Sequence, residues 1–310
     1  MLSRIPKKLL FLLPPQQRNI SFNIISNKLA LYGKLLRIDK PIGTYLLFYP
    51  SSWSICLTNA DSYEQIKYLS LFALGSFTMR SFGCVVNDFW DKDIDAKTQR
   101  TKDRPLATGK VSPAEAVGLL NVLGLISFPI LLQMNNLTIS LGLISILPVI
   151  FYPLCKRFIN LPQLFLGVTF NYGALIGYGA VTNQFIPEIV IPLYLSGICW
   201  TLVYDTIYGF QDMKDDKLNN VLSSSRYFED NYRKTLPALI LLQYSLFGIS
   251  GYFAEMSQVF YWGTLASAGW NYYLFKRVDI RCEKSCWRYF QSNSKIGLLL
   301  LGIIVSAKII

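Results

Sequence analysis

The chain of 310 residues contains no histidine, and only 16% of its residues are charged. Without histidine, most zinc, haem and acid–base sites are excluded, because imidazole is the usual ligand or proton carrier in them. Of the six cysteines, four fall in or beside apolar segments, where cysteine is a small apolar filler. Cys282 and Cys286 lack the second pair that a zinc site needs. The ligands that remain for a metal are hard oxygens.

Long apolar segments make up most of the chain. Hydrophobic residues make up 52% of the chain, and a run of about 20 such residues is long enough to cross a bilayer. We therefore predict an all-α polytopic membrane protein with about nine transmembrane helices. The predicted spans are centred on Pro41–Thr58, Gln65–Val86, Pro113–Gln133, Leu137–Pro153, Pro162–Thr182, Pro187–Tyr208, Leu236–Ala254, Val259–Phe275 and Lys295–Ile310.

The net charge is +11, and the basic residues are concentrated in every second connection between the predicted spans. The links around Met134–Asn136, Asn183–Ile186 and Glu255–Gln258 contain no lysine or arginine, whereas the links after the second, fourth, sixth and eighth spans are basic. Short basic loops stay on the insertion side of a membrane, so this alternation supports the helix count and a single orientation. Positive charge cut into short loops also argues against a nucleic-acid partner.

The first 38 residues contain no acidic residue, whereas Arg4, Lys7, Lys8 and Arg18 are basic. A basic, acid-free leader is typical of a mitochondrial transit peptide. The alternative is the positive flank of a first membrane span. We predict that residues 1–35 are a transit peptide and leader, and that residues 36–310 form one membrane domain.

Two groups of carboxylates follow long apolar segments, although a carboxylate at membrane depth costs about 2.5–3.5 kcal/mol on insertion scales. Asp88, Asp91 and Asp95 are three and four residues apart, a spacing that gives one face of a helix. Asp205, Asp212 and Asp216 are seven and four residues apart at the end of another span, which again predicts one face of a helix. Either group alone could be a solvated loop. Together, both at the basic side, they predict two opposed faces.

Carboxylate oxygens without histidine or thiolate suit Mg²⁺, which binds through one or two carboxylates plus substrate phosphate. The two faces could therefore hold Mg²⁺ and a diphosphate between them. Basic side chains near the two groups could contact the phosphate oxygens directly; they are Arg80, Lys102, Arg104 and Lys156.

At these residues the chain resembles the UbiA superfamily of intramembrane prenyltransferases, in particular its branch that prenylates 4-hydroxybenzoate for ubiquinone. The branch is further suggested by RIDKPIGT from Arg37, MRSFGCVVND from Met79 and RTKDRPLATG from Arg100. The family motifs N-D-x-x-D-x-x-x-D, D-x-x-x-D and Y-x-x-x-K are matched by Asn87, Asp88, Asp91 and Asp95, by Asp212 and Asp216, and by Tyr152 and Lys156.

The resemblance implies a helical bundle around a central cavity and Mg²⁺-dependent transfer of a polyprenyl group from its diphosphate to 4-hydroxybenzoate. It further implies the mitochondrial inner membrane, an active site facing the matrix, and other ubiquinone-biosynthesis proteins as partners. It assigns the metal to Asp88, Asp91, Asp95, Asp212 and Asp216, the diphosphate to Asn87, Arg80, Arg104 and Lys156, and the acceptor or the allylic cation to Arg37, Tyr152 and Tyr208. Arg37 could instead be an interfacial anchor, and the tyrosines could pack at the interface.

One position departs from the family pattern. Leu222 stands where relatives usually carry a lysine shortly after the second acidic motif. Either Arg226 supplies this cation or the diphosphate binds more weakly. The segment Lys97–Lys110 is expected to form a loop with a short helix that caps the site, or else a simple basic topogenic loop.

Two other functions compete with this interpretation. A prenyltransferase of the same superfamily could act on haem or homogentisate, and a transporter could use intramembrane acids to carry cations or protons. The transporter predicts acids along a path across the membrane midplane. Both acidic groups here lie toward one side, which favours diphosphate capture.

Overall fold

Nine long helical segments follow one another in the computed structural model, which describes residues 26–309. No β-strand occurs within that range, and the predicted all-α fold is confirmed. The segments are α1 (Ile42–Leu57), α2 (Ser62–Trp90), α3 (Pro113–Leu131), α4 (Asn136–Phe151), α5 (Pro162–Thr182), α6 (Pro187–Gly209), α7 (Tyr232–Phe253), α8 (Gln258–Lys276) and α9 (Glu283–Ile309).

Seven of the nine segments are long and apolar enough to cross a membrane, when α4 is taken together with its continuation to Arg157. The other two are α1, which has 16 residues, and α8, whose sequence includes two tryptophans, three tyrosines and an asparagine. A span normally needs about 20 apolar residues. The predicted helices are therefore all present in the described range, while the prediction that nine of them span the membrane is not confirmed.

Three of the long helices, α2, α3 and α4, begin at side chains that accept hydrogen bonds from otherwise unpaired backbone N–H groups. The Ser112 hydroxyl accepts from the N–H of Glu115 at 3.2 Å, and the Glu115 carboxylate accepts from the N–H of Ser112 at 2.8 Å. Asp61 caps α2 and Asn135 caps α4 in the same way. Such caps contribute about 1 kcal/mol each and fix where each helix starts.

The central helix of the bundle is α6. Within its most apolar stretch 67% of the residues are buried by protein, against 11% for α3 and for α4. The core around α6 is built from large aromatic side chains, with Trp53, Trp200 and Phe247 each no more than 1% exposed. Both α3 and α4 leave leucines and isoleucines exposed, as expected of helices at the periphery of a membrane bundle.

A break at Asn171 divides α5 into two helices, Pro162–Phe170 and Tyr172–Thr182. The buried Asn171 amide donates to the carbonyl of Gly167 and to Thr201 Oγ1 on α6, both at 2.8 Å. A Cβ at Gly197 would lie 2.2 Å from Asn171 Oδ1, so only glycine fits there. The break leaves Phe170 at the end of the first half, beside the cavity described below.

A helical segment over 26–35 precedes α1 and packs against the start of α3. Lys28 Nζ and the Tyr32 hydroxyl contact the Glu115 carboxylate at 2.8 and 2.9 Å, and Leu35 is fully buried. The folded unit therefore includes ten residues that the sequence assigned to the leader. Residues 1–25 and 310 lie outside the described residues, and the transit peptide stays a prediction.

Candidate active site

The first acidic cluster, Asp88, Asp91 and Asp95, lies where α2 passes into a short helix, Lys92–Asp95. The backbone bonds Asp91 N–H to Asn87 O (2.9 Å) and Asp95 N–H to Asp91 O (2.7 Å) continue the helical repeat across the junction. The three carboxylates therefore stay on one side, as the spacing predicted. All three are buried.

Cations from three separate elements surround this cluster. Arg37 donates to both oxygens of Asp88 at 2.8 and 2.9 Å, and Arg104 bridges Asp88 and Asp95 at 2.9 and 2.7 Å. Lys156 contacts Asp91 at 2.6 Å. Buried carboxylates in this number are stable only when such partners offset their charge.

The backbone of Arg37 lies in the left-handed region, with φ of 56°, which costs a non-glycine residue about 1 kcal/mol. Its guanidinium also donates to the carbonyl of Lys34 at 2.7 Å. The contacts with Asp88 and Lys34 hold this turn closed. The first cluster thus fixes the chain that leads into α1.

Tyr152 and Lys156 lie in a 3₁₀ extension of α4, Tyr152–Arg157. The Tyr152 hydroxyl donates to Asn87 Oδ1 at 3.0 Å, while Lys156 contacts Asp91. Both ends of the predicted Y-x-x-x-K motif therefore contact the end of α2.

The second acidic cluster, Asp212, Asp215 and Asp216, follows α6. The helix ends at Gly209, and a new short helix, Met213–Leu218, begins after Asp212. The continuous helical face that the sequence predicted from Asp205 to Asp216 is thus interrupted by a turn, although the N–H of Asp216 still bonds the carbonyl of Asp212 at 2.8 Å.

Arg100 is the cation of the second cluster. It donates to both oxygens of Asp212 at 2.8 and 2.5 Å and to the Tyr208 hydroxyl at 3.0 Å, and it lies 5.1 Å from the centre of the Tyr208 ring. One residue earlier, the N–H of Gln99 donates to Asp215 at 2.8 Å. The loop that holds the first cluster through Arg104 therefore also holds the second.

Burial shapes the charges of the groups that lie outside the spans. Burial raises the pKa of Asp95, while Arg104 counteracts this. Burial and the neighbouring charge of Asp212 raise the pKa of Asp216 to about 6. Burial lowers the pKa of Arg100, but the hydrogen bond to Asp212 and the nearby negative charge raise it by more, so the net pKa is raised.

Both clusters line one cavity of about 700 Å³. Its lining brings together all twelve residues to which the family resemblance assigned a role, namely Arg37, Arg80, Asn87, Asp88, Asp91, Asp95, Arg104, Tyr152, Lys156, Tyr208, Asp212 and Asp216. The roles assigned to these residues stay predictions. The structure does bring them together, because Arg37 and Asp216, which are 179 positions apart in sequence, line the same cavity.

A second cavity of about 320 Å³ adjoins the first. It lies between α2, α3, α4 and α5, and side chains such as Phe72, Phe128 and Leu131 give it an apolar lining. Three residues line both cavities: Arg80, Tyr152 and Phe170. A polar chamber and an apolar one therefore meet at a wall made of these side chains.

The donor set suits a hard divalent cation. Asp91 Oδ1 is buried and has no hydrogen-bond partner, and carboxylate oxygen is the ligand that Mg²⁺ prefers. Within residues 26–309 no three acidic, cysteine or histidine side chains are placed to hold a metal ion by themselves, and each carboxylate of the first cluster is paired with a cation. This arrangement suits an ion that also needs substrate phosphate as a ligand.

Sequence reasoning missed Arg100 as a member of the site, although it opens the quoted RTKDRPLATG segment. It also placed a short helix within Lys97–Lys110, where the structure has only turns; the short helix, Lys92–Asp95, comes just before them. The loop itself does cap the cavity. Lys102 is not among the lining residues, and its ammonium donates to Gln99 Oε1 at 3.0 Å.

Leu222 lines the cavity, as expected for the position of the missing lysine. Arg226 does not reach the lining. Its guanidinium instead donates to the backbone carbonyls of Asp216 and Val221, at 3.3 and 2.5 Å. Arg226 therefore does not replace the lysine in this structure, and the second cluster has fewer cations than the family pattern implies.

Comparisons with known proteins agree with this geometry. A model of the UbiA prenyltransferase family matches residues 47–299. The chain is 42% identical to 4-hydroxybenzoate polyprenyltransferase, mitochondrial, of Arabidopsis thaliana, over 88% of this chain and 68% of that protein. It is also 42% identical to the protein of the same name in Schizosaccharomyces pombe, over 91% and 81% of the two chains.

A solved UbiA homolog from Archaeoglobus fulgidus bound to GPP and Mg²⁺ has the same fold, with a TM-score of 0.66 at 17% identity. The match covers 89% of this chain and 99% of that one. Fold, motif positions and sequence identity lead to one conclusion: the chain belongs to the UbiA prenyltransferase family.

Proposed function

We propose that the protein transfers a polyprenyl group from polyprenyl diphosphate to the ring carbon ortho to the hydroxyl of 4-hydroxybenzoate, a step of ubiquinone biosynthesis. The observation that carries this proposal is the junction of two cavities. One contains two clusters of carboxylates with their cations, and the other is apolar. Relatives at 42% identity are named for this activity.

The polar cavity would bind the diphosphate. Mg²⁺ would be held by Asp88, Asp91, Asp95, Asp212 and Asp216, and when bound it would neutralise the charge that develops on the leaving diphosphate. Arg104, Lys156 and Arg100 now pair with these aspartates. Once the aspartates hold metal, these cations are free to donate to phosphate oxygens, with Asn87 beside them.

The apolar cavity would receive the polyprenyl tail. Its lining from α2 to α5 excludes water from the reacting carbon, which protects an allylic cation from hydrolysis. Since α3 and α4 line this cavity and are the least buried of the candidate spans, a tail longer than the cavity would extend past them into the bilayer.

The reaction exchanges one bond for another at the first carbon of the tail. The bond from this carbon to oxygen breaks, and its electron pair leaves with the diphosphate. The ring carbon ortho to the hydroxyl then forms the new carbon–carbon bond, and the ring loses a proton. The ring faces of Tyr152 and Tyr208 are suited to stabilise the positive carbon. The Tyr208 ring already lies beside the guanidinium of Arg100.

The location is part of the proposal. The relatives are named mitochondrial, and the described helices are those of a membrane protein. We infer a multi-pass protein of the mitochondrial inner membrane whose site faces the matrix, because both clusters lie at the basic ends of their helices. Association with other proteins of ubiquinone biosynthesis stays a prediction.

Membranes that contain the protein provide the test. They are supplied with labelled polyprenyl diphosphate, 4-hydroxybenzoate and Mg²⁺, and we expect prenylated 4-hydroxybenzoate. Chelation of Mg²⁺, Asp88→Ala and Asp212→Ala should each abolish the product. The exposed Asp230, which does not line the cavity, provides the matched control Asp230→Ala. If homogentisate or haem is prenylated and 4-hydroxybenzoate is not, the proposed acceptor is wrong. Cation uptake without any prenylated product would favour a transporter.

A further inference from the structure

Asp205 lines the polar cavity but belongs to neither acidic cluster. It lies on α6, one turn before the helix ends and seven residues before Asp212. No residue in the range 26–309 forms an ion pair with it, since Lys156 contacts Asp91 and Arg100 contacts Asp212 instead. Asp205 is half-buried, so a molecule in the cavity can reach its carboxylate.

The position of Asp205 is deeper in the bundle than that of the second cluster. The four residue steps from Asp205 to Gly209, the end of α6, span about 6 Å along the helix axis. Arg80, which belongs to the wall between the two cavities, is among the charged groups that act on Asp205. A diphosphate held by the clusters, with its tail in the apolar cavity, would have its reacting carbon near this wall. The ring that attacks this carbon would therefore lie close to Asp205.

The charged groups around Asp205 come from four elements of the fold. The cations are Lys156 from the 3₁₀ extension of α4, Arg80 from α2 and Arg100 from the loop, and the anion is Asp212 after α6. None of the three cations forms an ion pair with Asp205. A proton can therefore bind to this carboxylate without breaking an ion pair, whereas a proton on any member of the first cluster would break at least one.

The proposed reaction needs a group that accepts a proton, because the aromatic acceptor loses one. Histidine, the most common general base, is absent from the chain. The carboxylates of the two clusters are assigned to the metal, and lysine and arginine already carry their protons. Asp39 and Asp103 also line the cavity, but both are exposed to solvent. Among the described residues, Asp205 is the inner carboxylate that remains.

We propose that Asp205 is the general base that takes the proton from the hydroxyl of the aromatic acceptor. This inference rests on the proposed function and deepens it. As the O–H bond breaks, its electron pair forms a carbonyl bond, and a pair of ring electrons forms the carbon–carbon bond to the tail. The neutral dienone becomes a phenol again when the ring carbon loses its proton to the released diphosphate and the oxygen regains the proton held by Asp205. One proton is released overall.

The main test compares 4-hydroxybenzoate with 3-fluoro-4-hydroxybenzoate, which has a more acidic hydroxyl and keeps one ortho carbon free. With 4-hydroxybenzoate, Asp205→Asn should lower kcat about 100-fold or more and leave KM for both substrates unchanged. The loss should be smaller with the fluorinated acceptor and should shrink as the pH rises, because an ionised hydroxyl needs no base. The matched control Asp103→Asn removes the same charge from an exposed position in the same cavity and should keep kcat.

A second measurement separates a base from a metal ligand. Inorganic diphosphate is titrated into the purified protein in detergent with Mg²⁺, and Asp205→Asn should bind it as tightly as the wild type. Weaker binding in this variant would make Asp205 part of the metal site and would overturn the inference.

Two further results would also overturn it: a kcat equal to that of the wild type in Asp205→Asn, and a loss that is the same with both acceptors and at every pH. Asp205→Glu moves the carboxylate without removing it, and it serves if Asp205→Asn does not fold. Its loss of kcat should again be smaller with the fluorinated acceptor, and an equal loss with both would contradict the role of a base. If wild-type membranes do not prenylate 4-hydroxybenzoate at all, the proposed function fails. If they do and Asp205→Asn matches them, this inference alone fails.

Discussion

The two acidic clusters face the same cavity but are held in different ways. Asp88, Asp91 and Asp95 are almost completely buried, and cations from three elements of the fold contact them. Asp212 is more exposed, at 16% of its side chain, and pairs with Arg100. Asp216 forms no ion pair within residues 26–309.

The difference indicates two kinds of binding surface. The first cluster is neutralised by the protein and organises the ends of α1, α2 and α4. The second has an excess of negative charge, so its aspartates depend more on what binds there. In the proposed reaction both clusters hold the metal: the first cluster provides ligands that the protein already keeps in place, and the second provides ligands whose charge the bound metal must offset.

The largest effect is expected on the free energy of unfolding, which should fall more for a substitution in the first cluster than for one in the second. Asp88→Asn leaves Arg37 and Arg104 without their shared partner, and breaking a buried pair costs about 3 kcal/mol or more. Asp212→Asn breaks a more exposed pair, which should cost about 1 kcal/mol or less. Thermal unfolding of the purified variants in detergent measures this, and both should lose prenyl transfer by about 100-fold or more. Equal melting temperatures would contradict the comparison.

A smaller effect is expected from Arg100→Gln, which removes the cation of the second cluster. The loss of charged hydrogen bonds to Asp212 and Tyr208 should lower kcat/KM for polyprenyl diphosphate about tenfold. The control is Lys97→Gln in the same loop, because Lys97 is exposed and does not line the cavity. If both variants lose activity to the same extent, the general charge of the loop matters and the contact with Asp212 does not.

Leu222→Lys should make the second cluster more like the first. A lysine at this cavity-lining position adds a cation close to the proposed diphosphate, which should lower KM for polyprenyl diphosphate about two- to fivefold. Leu218→Lys adds the same charge at an exposed position outside the lining and should leave KM unchanged. An unchanged KM in Leu222→Lys would mean that the second cluster already has sufficient positive charge.

The smallest effect concerns Asp216 in the metal-free protein. Its pKa is raised from 3.8 to about 6 by burial and by Asp212. Folding therefore loses stability as the pH rises from 3.8 to 6, and the full loss is present above pH 6. Asp216→Asn removes this charge and should stabilise the protein by about 1 kcal/mol at pH 7.5 in chelator. The gain should shrink at pH 5; a gain that grows there would contradict this explanation.

Much of the fold and of the site follows from local sequence patterns. The apolar segments predicted all nine long helices, because length and hydrophobicity are local properties. The spacing of Asp88, Asp91 and Asp95 predicted one face because the helical repeat continues past Trp90. The alternation of basic loops predicted that both clusters lie on one side, since the positive charge of a short loop determines its side of the membrane.

Other features depend on contacts between distant parts of the chain. Arg100 pairs with a residue 112 positions away, and nothing in its own loop distinguishes it from the neighbouring cations. The Arg80 guanidinium lies against Gly43, where a Cβ would be 2.3 Å from Arg80 Nε, and this contact exists only after α1 packs on α2. The break in α5 at Asn171 also depends on Thr201 and Gly197 of α6. Such pairings are decided by tertiary packing, which local periodicity does not encode.

The contact between the 26–35 segment and Glu115 limits where the predicted transit peptide could be cleaved. Lys28 and Tyr32 attach this segment to the start of α3, and the turn that carries Arg37 follows directly. A peptidase that cut downstream of Tyr32 would leave Arg37 near a loose new amino terminus, without the attachment that holds its turn. If the predicted transit peptide is removed, a cut that preserves this attachment must fall upstream of Lys28.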